Sequence, residues 1–450
     1  MKIQEFKDLV FKRAAELNLI EYELYYHQSD SVEINVFQQE IDQYSNNSEI
    51  GVSFRCLYEG KMGYSFTEKL NEEEAMAIVD HAKDSALFTE NDDKQFIHDG
   101  NDEIETINLV NNKIEDVSIE DKFKFTLNLE KNVLEESEKV SQVMECTYSE
   151  KLSRYGIINS KGLNREYQCN NIMTYAFPVI KEEDKAYSDY SFKCTSSFYK
   201  LDAKELAKNV VKKVESKIGG KSITSGAYKV VIENETMAHL LQTFSGVFSS
   251  ENTQKGLSLL KGKEGSKIAS SNVTIIDNPH LEDGAHSFPF DSEGVATTSK
   301  KVVDQGNLVT LLYNLSTANK ENRKSTGNGF KSSYQSPVTV LPSNFYIENG
   351  ERTFEQLIQN VENGLLITSV EGTHAGANMV SGDFSLAASG FKISEGEIST
   401  PVEQITISGN FFDLLNNIEA VGSDLSFFYP YSGYFGSPSV IVSEISVAGE

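Results

Sequence analysis

Tyr228-Lys229-Val230-Val231-Ile232-Glu233-Asn234-Glu235-Thr236-Met237-Ala238-His239 is the stretch on which the fold turns, because one periodicity stops inside it and another starts. Val230, Val231 and Ile232 read as a strand, and Asn234 to about Phe244 reads as the helix that follows. Just upstream, Lys217-Ile218-Gly219-Gly220-Lys221-Ser222, with further flexible residues to Gly226, reads as a linker covering 217–226. Residues 1–216 and 227–450 are therefore expected to be separate domains, each long enough for its own core.

Working outward toward the amino terminus, Ile3, Phe6, Leu9, Val10, Ala14 and Leu17 recur at helical spacing. Val32, Ile34 and Val36 alternate with polar residues, as do Ile50, Val52, Phe54 and Cys56, before Glu59-Gly60 turns the chain back into Gly63-Tyr64-Ser65-Phe66. Asn71 then supplies an N-cap, and Glu72-Glu73-Glu74 an acidic first turn, for a helix through about Ala86. The order of strands and then helix recurs: strands at 140–148 and 156–158, a turn at Asn159-Ser160-Lys161-Gly162, further strands to Tyr199, and a helix opened by Asp202 and Glu205. That recurrence predicts an internal duplication of the first domain.

Beyond the linker the texture changes to glycine, serine and short β-branched runs. These are Val273-Thr274-Ile275-Ile276, Leu308-Val309-Thr310-Leu311-Leu312, Pro337-Val338-Thr339-Val340-Leu341, Gln404-Ile405-Thr406-Ile407 and Ser439-Val440-Ile441-Val442. An amphipathic helix at 354–362 covers one sheet face. The fold class read from this pattern is α+β: a duplicated, strand-rich amino-terminal domain with helices, then a mostly antiparallel β carboxyl-terminal domain with few helices.

Forty-one basic against 67 acidic residues leave a formal charge of −26, which repels phosphate backbones and anionic lipid surfaces. The densest basic run, at 204–221, is interrupted by Glu205 and Glu215 and reads as the polar face of a helix. No nucleic-acid partner is expected. No apolar run approaches the roughly 20 residues that span a bilayer, and Met1-Lys2-Ile3-Gln4-Glu5-Phe6 opens a polar amphipathic segment instead of a signal peptide. A cytoplasmic location without a membrane partner is the expectation. Cys56, Cys146, Cys169 and Cys194 form no Cys-x-x-Cys pair and read as reduced thiols packed in strands.

Asn234-Glu235-Thr236-Met237-Ala238-His239 has the layout of a zinc-peptidase helix, with asparagine where the first metal-binding histidine would stand. Such an enzyme needs neutral imidazoles on the ion and a carboxylate beside the metal-bound water, whose pKa the metal lowers. Glu235 is the candidate carboxylate. A five-residue spacing rotates positions 234 and 239 apart by roughly 140°, so both reach one ion only if the helix is locally loosened. The Asn234 amide oxygen is a hard neutral donor suited to calcium more than zinc. The plain alternative is that Glu235 and His239 are an i,i+4 pair on a solvated helix face.

Four collinear segments of the carboxyl-terminal half resemble the TldD/PmbA family, also called modulators of DNA gyrase or U62 peptidases. They are Asp277-Asn278-Pro279-His280, Phe288-Pro289-Phe290-Asp291-Ser292-Glu293-Gly294-Val295, Lys324-Ser325-Thr326-Gly327-Asn328, and Ser381-Gly382-Asp383-Phe384-Ser385 with Ala388-Ser389-Gly390. The tail Ile405-Thr406-Ile407-Ser408-Gly409-Asn410 and Val421-Gly422-Ser423-Asp424-Leu425 is similar as well. The resemblance implies a cytoplasmic pair of subunits that degrades flexible peptides, one carrying His-Glu-x-x-x-His and a later cysteine as zinc ligands, the other lacking the metal site. Here Asn234 replaces the first ligand, Glu235 matches the base, His239 matches the second ligand, and no cysteine stands near Tyr431-Ser432-Gly433. The resemblance thus implies a PmbA/TldE-type chain with no cofactor of its own, partnered by a zinc-bearing TldD-like subunit in a heterodimer, or by itself in a homodimer.

Asp291, Glu293, Gly294, Gly382 and Asp383 are the peptide-binding candidates, on the reading that glycine-rich sheet edges add an extended peptide as a strand. The competing reading is that these glycines allow sheet bends and that the acids cap turns. Two other functions stay open from the residues: an active metallopeptidase that uses Glu235 and His239 with His280 or His286, and a non-enzymatic peptide-binding or regulatory protein. Direct action on gyrase or DNA rests on the family's name alone. No Gly-x-Ser-x-Gly elbow follows a strand, and Lys324 precedes its glycine loop instead of closing it, so neither a serine hydrolase nor a phosphate loop is read.

Overall fold

Residues 1–216 build one antiparallel sheet from two successive runs of elements that share the order helix, strands, helix. The first run is α1 (Ile3–Glu16), β1 (Glu21–Phe37), β2 (Glu40–Tyr58), β3 (Lys61–Thr67) and α2 (Glu72–Phe88). The second is α3 (Ile119–Glu136), β4 (Val140–Asn159), β5 (Asn164–Glu182), β6 (Lys185–Ser188), β7 (Ser191–Thr195) and α4 (Ala203–Glu215). The structure is a computed structural model and describes residues 1–90, 94–110, 114–428 and 433–450; Tyr431 and Ser432, cited above, lie outside the described residues. Strand order is β3-β2-β1-β4-β5-β6, with β7 also on β5. The runs are joined where β1 meets β4, from Glu23 opposite Asn159 to Asn35 opposite Thr147.

Local chemistry accounts for the boundaries. Asn71 accepts the N–H of Glu74 at 2.9 Å and starts α2, and Asp202 accepts the N–H groups of Lys204 and Glu205 to start α4. The β1–β2 hairpin turns on Gln38 and Gln39, both left-handed at φ 55° and 62°. Their N–H groups point at Glu130 of α3, which accepts them at 2.9 and 2.7 Å while 1% exposed. A helix of the second run therefore closes the turn of the first.

Two cores line one face of this sheet. Phe6, Val10, Ile78 and Val79 from α1 and α2 pack on Leu24, Val52 and Phe54, and Leu129, Val133, Val210 and Val211 from α3 and α4 pack on Ile34, Tyr148 and Ile172. Each fully buried Phe, Leu, Val or Ile contributes about 1.5–3 kcal/mol over its exposed state. A third cluster of Tyr25, Ile157, Leu163 and Phe290 joins the sheet to the second half of the chain.

In that second half β8 (Gly226–Ile232) lies between the parallel strand Gly364–Glu371 and the antiparallel strand Val440–Ala448. Strands Asp383–Ser394 and Glu397–Asn410 continue the sheet, and Thr406 pairs with Ala448, so the sheet closes on itself as a barrel. A second sheet is built from Ile275–Asp277, Lys300–Asp304, Asn307–Leu308, Asn344–Ile347, Ser426–Phe427 and Tyr434–Ser437. α5 (Asn234–Phe244) buries Met237, Leu240, Leu241 and Phe244 in the core shared by the two sheets. The fold is α+β, and strand pairing in this half is antiparallel except at β8 with 364–371 and at 344–347 with 434–437 among the named strands of the described residues.

The structure corrects two local readings. α3 was not read from the sequence, and of the run at 308–312 only Leu308 lies in a strand, Asn307–Leu308. There the backbone leaves the ladder because the Leu311 N–H is taken by the Glu264 carboxylate at 2.9 Å and the Leu312 N–H by the Phe248 carbonyl at 2.9 Å.

Candidate functional site

β8 ends at Ile232, the Glu233 N–H still bonds the Ile367 carbonyl at 2.9 Å, and α5 begins one residue later. The helix start is thus pinned to the barrel rim. Asn234 is held there on both sides of its amide. Its Nδ2 donates to the Asp424 carbonyl at 2.8 Å, and its Oδ1 accepts the Glu235 N–H at 2.7 Å. Ser439 completes the link, accepting the Asn234 N–H at 3.1 Å and donating its hydroxyl to Asp424 at 2.7 Å. Asp424 belongs to the Gly422-Ser423-Asp424 segment, so that motif serves the helix start.

Glu235 points toward α4, where its Oε2 lies 3.3 Å from Lys213 Nζ. Lys213 also lies 3.5 Å from Asp189, which Lys217 meets at 2.7 Å. Burial lowers the Lys213 pKa, but the charges of Glu235, Asp189 and Glu233 outweigh it and raise it above the ordinary lysine value. Glu233 moves the other way for an acid: burial, with Glu235 and Asp189 nearby, lifts it to about 7 against the opposing charge of Lys213. His239 stacks on Phe428 with ring centroids 4.4 Å apart and planes 6° from parallel, and burial lowers its pKa. Glu235 and His239 therefore have separate neighbours, a lysine and a phenyl ring.

His280 contacts Glu105 at 2.9 Å through Nδ1 and Thr297 at 3.1 Å through Nε2. His286 is half-buried beside Phe288, with its pKa lowered to about 4 by desolvation. Among the described residues no three His, Cys, Asp or Glu side chains converge as a metal site. An imidazole with no second strong donor at hand is a weak trap for zinc, because affinity grows with the number of converging N and S ligands.

The peptide-binding candidates fall into two groups with different neighbours. Asp291, 2% exposed, accepts the N–H groups of Glu293, Val295 and Gly329 at 2.9, 3.0 and 2.8 Å and so closes a turn. Glu293, 3% exposed, accepts the Leu315 N–H at 2.8 Å and faces Arg55 at 3.6 Å. Gly294 has φ 81°, and its carbonyl accepts from Arg165 of β5 at 2.6 Å. Gly382, φ 84°, and the exposed Asp383 form a turn tied to Asn410, whose Nδ2 donates to Asp383 at 2.9 Å. Of the five candidates only Glu293 lines a cavity of about 450 Å³, with Arg55 and Lys331, and a second cavity of about 370 Å³, which includes Lys217, Ala388, Ser389 and Gly390, is lined by none of them.

Lys213, Arg55, Lys331 and Phe428 were missed by sequence reasoning, since each is an unremarked residue in its own segment and gains meaning only through contacts across the chain. Asp424 alone carried a signal, inside a quoted motif.

Three family models match this chain. PmbA/TldA metallopeptidase domain 1 covers residues 22–86, the central domain 112–218 and the C-terminal domain 225–449. A metalloprotease PmbA homolog of Haemophilus influenzae is 26% identical over 418 residues, 91% of this chain and 88% of that relative. A crystal structure of a candidate modulator of a DNA gyrase from Thermotoga maritima matches with TM-score 0.91 and 32% identity, over 99% of this chain and 100% of that one. TldE from Thermococcus kodakarensis shares the fold, with TM-score 0.86 and 20% identity over 98% and 99% of the two chains. Fold and matched domains define a protein of metallopeptidase type. The chain belongs to the PmbA/TldD family.

Proposed function

We propose that this chain is the metal-free companion of a TldD-like zinc metallopeptidase subunit, a PmbA/TldE-type protein that forms part of the wall along which flexible peptides reach the partner's metal. The reading is carried by Asn234. Its amide nitrogen is spent on the Asp424 carbonyl and its oxygen on the Glu235 N–H, so the position that would bring a first imidazole serves the helix start instead. The paired Glu235 and the stacked His239 support the same reading, because a carboxylate neutralised by lysine is a poor base toward bound water. The donor set does not fit a zinc ion, and no hydrolytic step is assigned to this chain. Its place is in the cytoplasm, paired with the catalytic subunit, and no helix among the described residues is long and apolar enough to cross a membrane.

The test is elemental analysis and peptide cleavage by the purified chain, alone and mixed with a family member bearing His-Glu-x-x-x-His. Expected are zinc far below one equivalent, no cleavage alone, and cleavage of an unstructured peptide by the mixture that exceeds that of the added subunit. Stoichiometric zinc in this chain, or cleavage abolished by Glu235→Ala in the chain alone, overturns the proposal.

A further inference from the structure

Three polar side chains meet in the interior beside the second sheet: Asp277, Lys300 and Asn328. Asp277 and Asn328 are 0% exposed, and the Lys300 side chain 12%. Asp277 ends the strand Ile275–Asp277, Lys300 opens the strand Lys300–Asp304 directly opposite it in register, and Asn328 closes the Lys324-Ser325-Thr326-Gly327-Asn328 motif. Strand pairing therefore sets amine and carboxylate side by side, and the glycine loop brings an amide to both.

Lys300 Nζ lies 2.9 Å from Asp277 Oδ2 and 3.1 Å from Asn328 Oδ1. Asn328 Nδ2 lies 2.8 Å from the same Asp277 Oδ2. One carboxylate oxygen thus touches both nitrogens, while the other is held by the Ser343 N–H and hydroxyl, each at 2.7 Å. Asn328 Oδ1 also accepts the Thr326 hydroxyl at 2.7 Å. The amide carbonyl therefore receives two donors, the arrangement that draws electron density from its carbon and stabilises an oxyanion.

Lysine and aspartate alone would complete a buried ion pair. The amide set against both adds what a condensation needs: an amine, an acyl carbon made electrophilic, and a carboxylate placed to carry a proton from one nitrogen to the other. Burial holds the three in one arrangement for the life of the protein and excludes the water that would compete for the carbonyl. A reaction required once per molecule can be slow.

We propose that the folded chain joins Lys300 to Asn328 by an intramolecular isopeptide bond, with Asp277 as the proton carrier. Asp277 takes a proton from the Lys300 ammonium, the freed Nζ attacks Asn328 Cγ, and the same carboxyl returns the proton to Nδ2. As the carbonyl re-forms, the Cγ–Nδ2 bond breaks, Nζ gives a second proton to Asp277, and the nitrogen leaves with it as ammonium. One C–N bond replaces another, with no oxidant or reductant. The inference is independent of the companion-subunit reading, since it needs only this chain.

The test is intact-mass measurement and tryptic mapping of the purified natural chain and of Lys300→Arg, which keeps the charge but removes the attacking amine. Expected is a natural chain lighter than its sequence by one ammonia, about 17 Da, with the peptides of Lys300 and Asn328 travelling as one species. Lys300→Arg is expected at its full sequence mass, as is Asp277→Asn, and where a variant fails to fold the map of the natural chain still decides. An unshifted natural chain, separate peptides, or a loss of ammonia that persists in Lys300→Arg, as succinimide formation at Asn328-Gly329 would give, each overturns the proposal.

Discussion

Lys213 on α4 and Glu235 on α5 meet at 3.3 Å, an ion pair that ties the last helix of residues 1–216 to the helix that follows β8. Asp189 shares the same ammonium at 3.5 Å. Lys213→Met removes the cation and leaves Asp189 with Lys217 alone. Unfolding free energy in urea is expected to fall by about 1–2 kcal/mol near pH 7, a modest loss because the lysine is partly exposed. Since the lysine pKa is raised in the fold, its contribution is full at neutral pH and is lost only as pH climbs through the folded value. A deficit absent at pH 7 would refute the pair's role.

Glu233 gives a pH signature in the opposite sense to an ordinary salt-bridged acid. Its folded pKa, about 7, stands above the 4.5 of the free side chain, so between these values the folded chain holds a proton that the unfolded chain has lost. Stability from this group is complete below 4.5 and drains away as pH rises through about 7. Glu233→Gln should therefore melt higher than the natural chain at about pH 8 and nearly equal to it at about pH 4. A gap that is constant across that range would remove Glu233 as its source.

Arg55→Met tests the buried ionic cluster. Glu23 is 1% exposed and Glu293 3%, and both face this guanidinium. Stranding two buried carboxylates is expected to cost about 3–5 kcal/mol, read as a shift in the urea midpoint. A loss under about 1 kcal/mol would mean that water reaches the pair freely.

Gly390 lies in the barrel strand Asp383–Ser394 where an added Cβ would stand 1.8 Å from the Leu366 carbonyl oxygen of the neighbouring strand. Gly390→Ala must push the two strands apart and is expected to lower stability by about 1–3 kcal/mol. An unchanged melting temperature would show that the barrel yields at this point at no cost.

Much of this architecture was written in the chain's alternations. Val32, Ile34 and Val36 gave β1, Asn71 gave the start of α2, and the run from Tyr228 to Phe244 gave β8 and α5. α3 escaped because its pattern misleads: Phe123, Phe125, Leu127 and Leu129 alternate as in a strand, while the face it buries carries Lys122, Thr126 and Glu130 beside Leu129 and Val133. Those polar residues belong inside because each has a partner there: Lys122 meets Glu150 at 2.5 Å, Thr126 donates to the Lys122 carbonyl, and Glu130 holds the hairpin turn. The site was half visible for a similar reason. Asn234, Glu235 and His239 announce themselves by spacing and Asp424 by its motif, whereas Lys213 and Phe428 matter only because folding brings them to that helix.

The clasp of Glu130 on the Gln38–Gln39 tip has a meaning for biosynthesis. The residue that finishes the first hairpin lies 92 positions further along the chain. A nascent polypeptide emerging from the ribosome must carry that tip with its amides hydrated until the later helix has been made, and the opening run reaches its finished shape only when the second arrives.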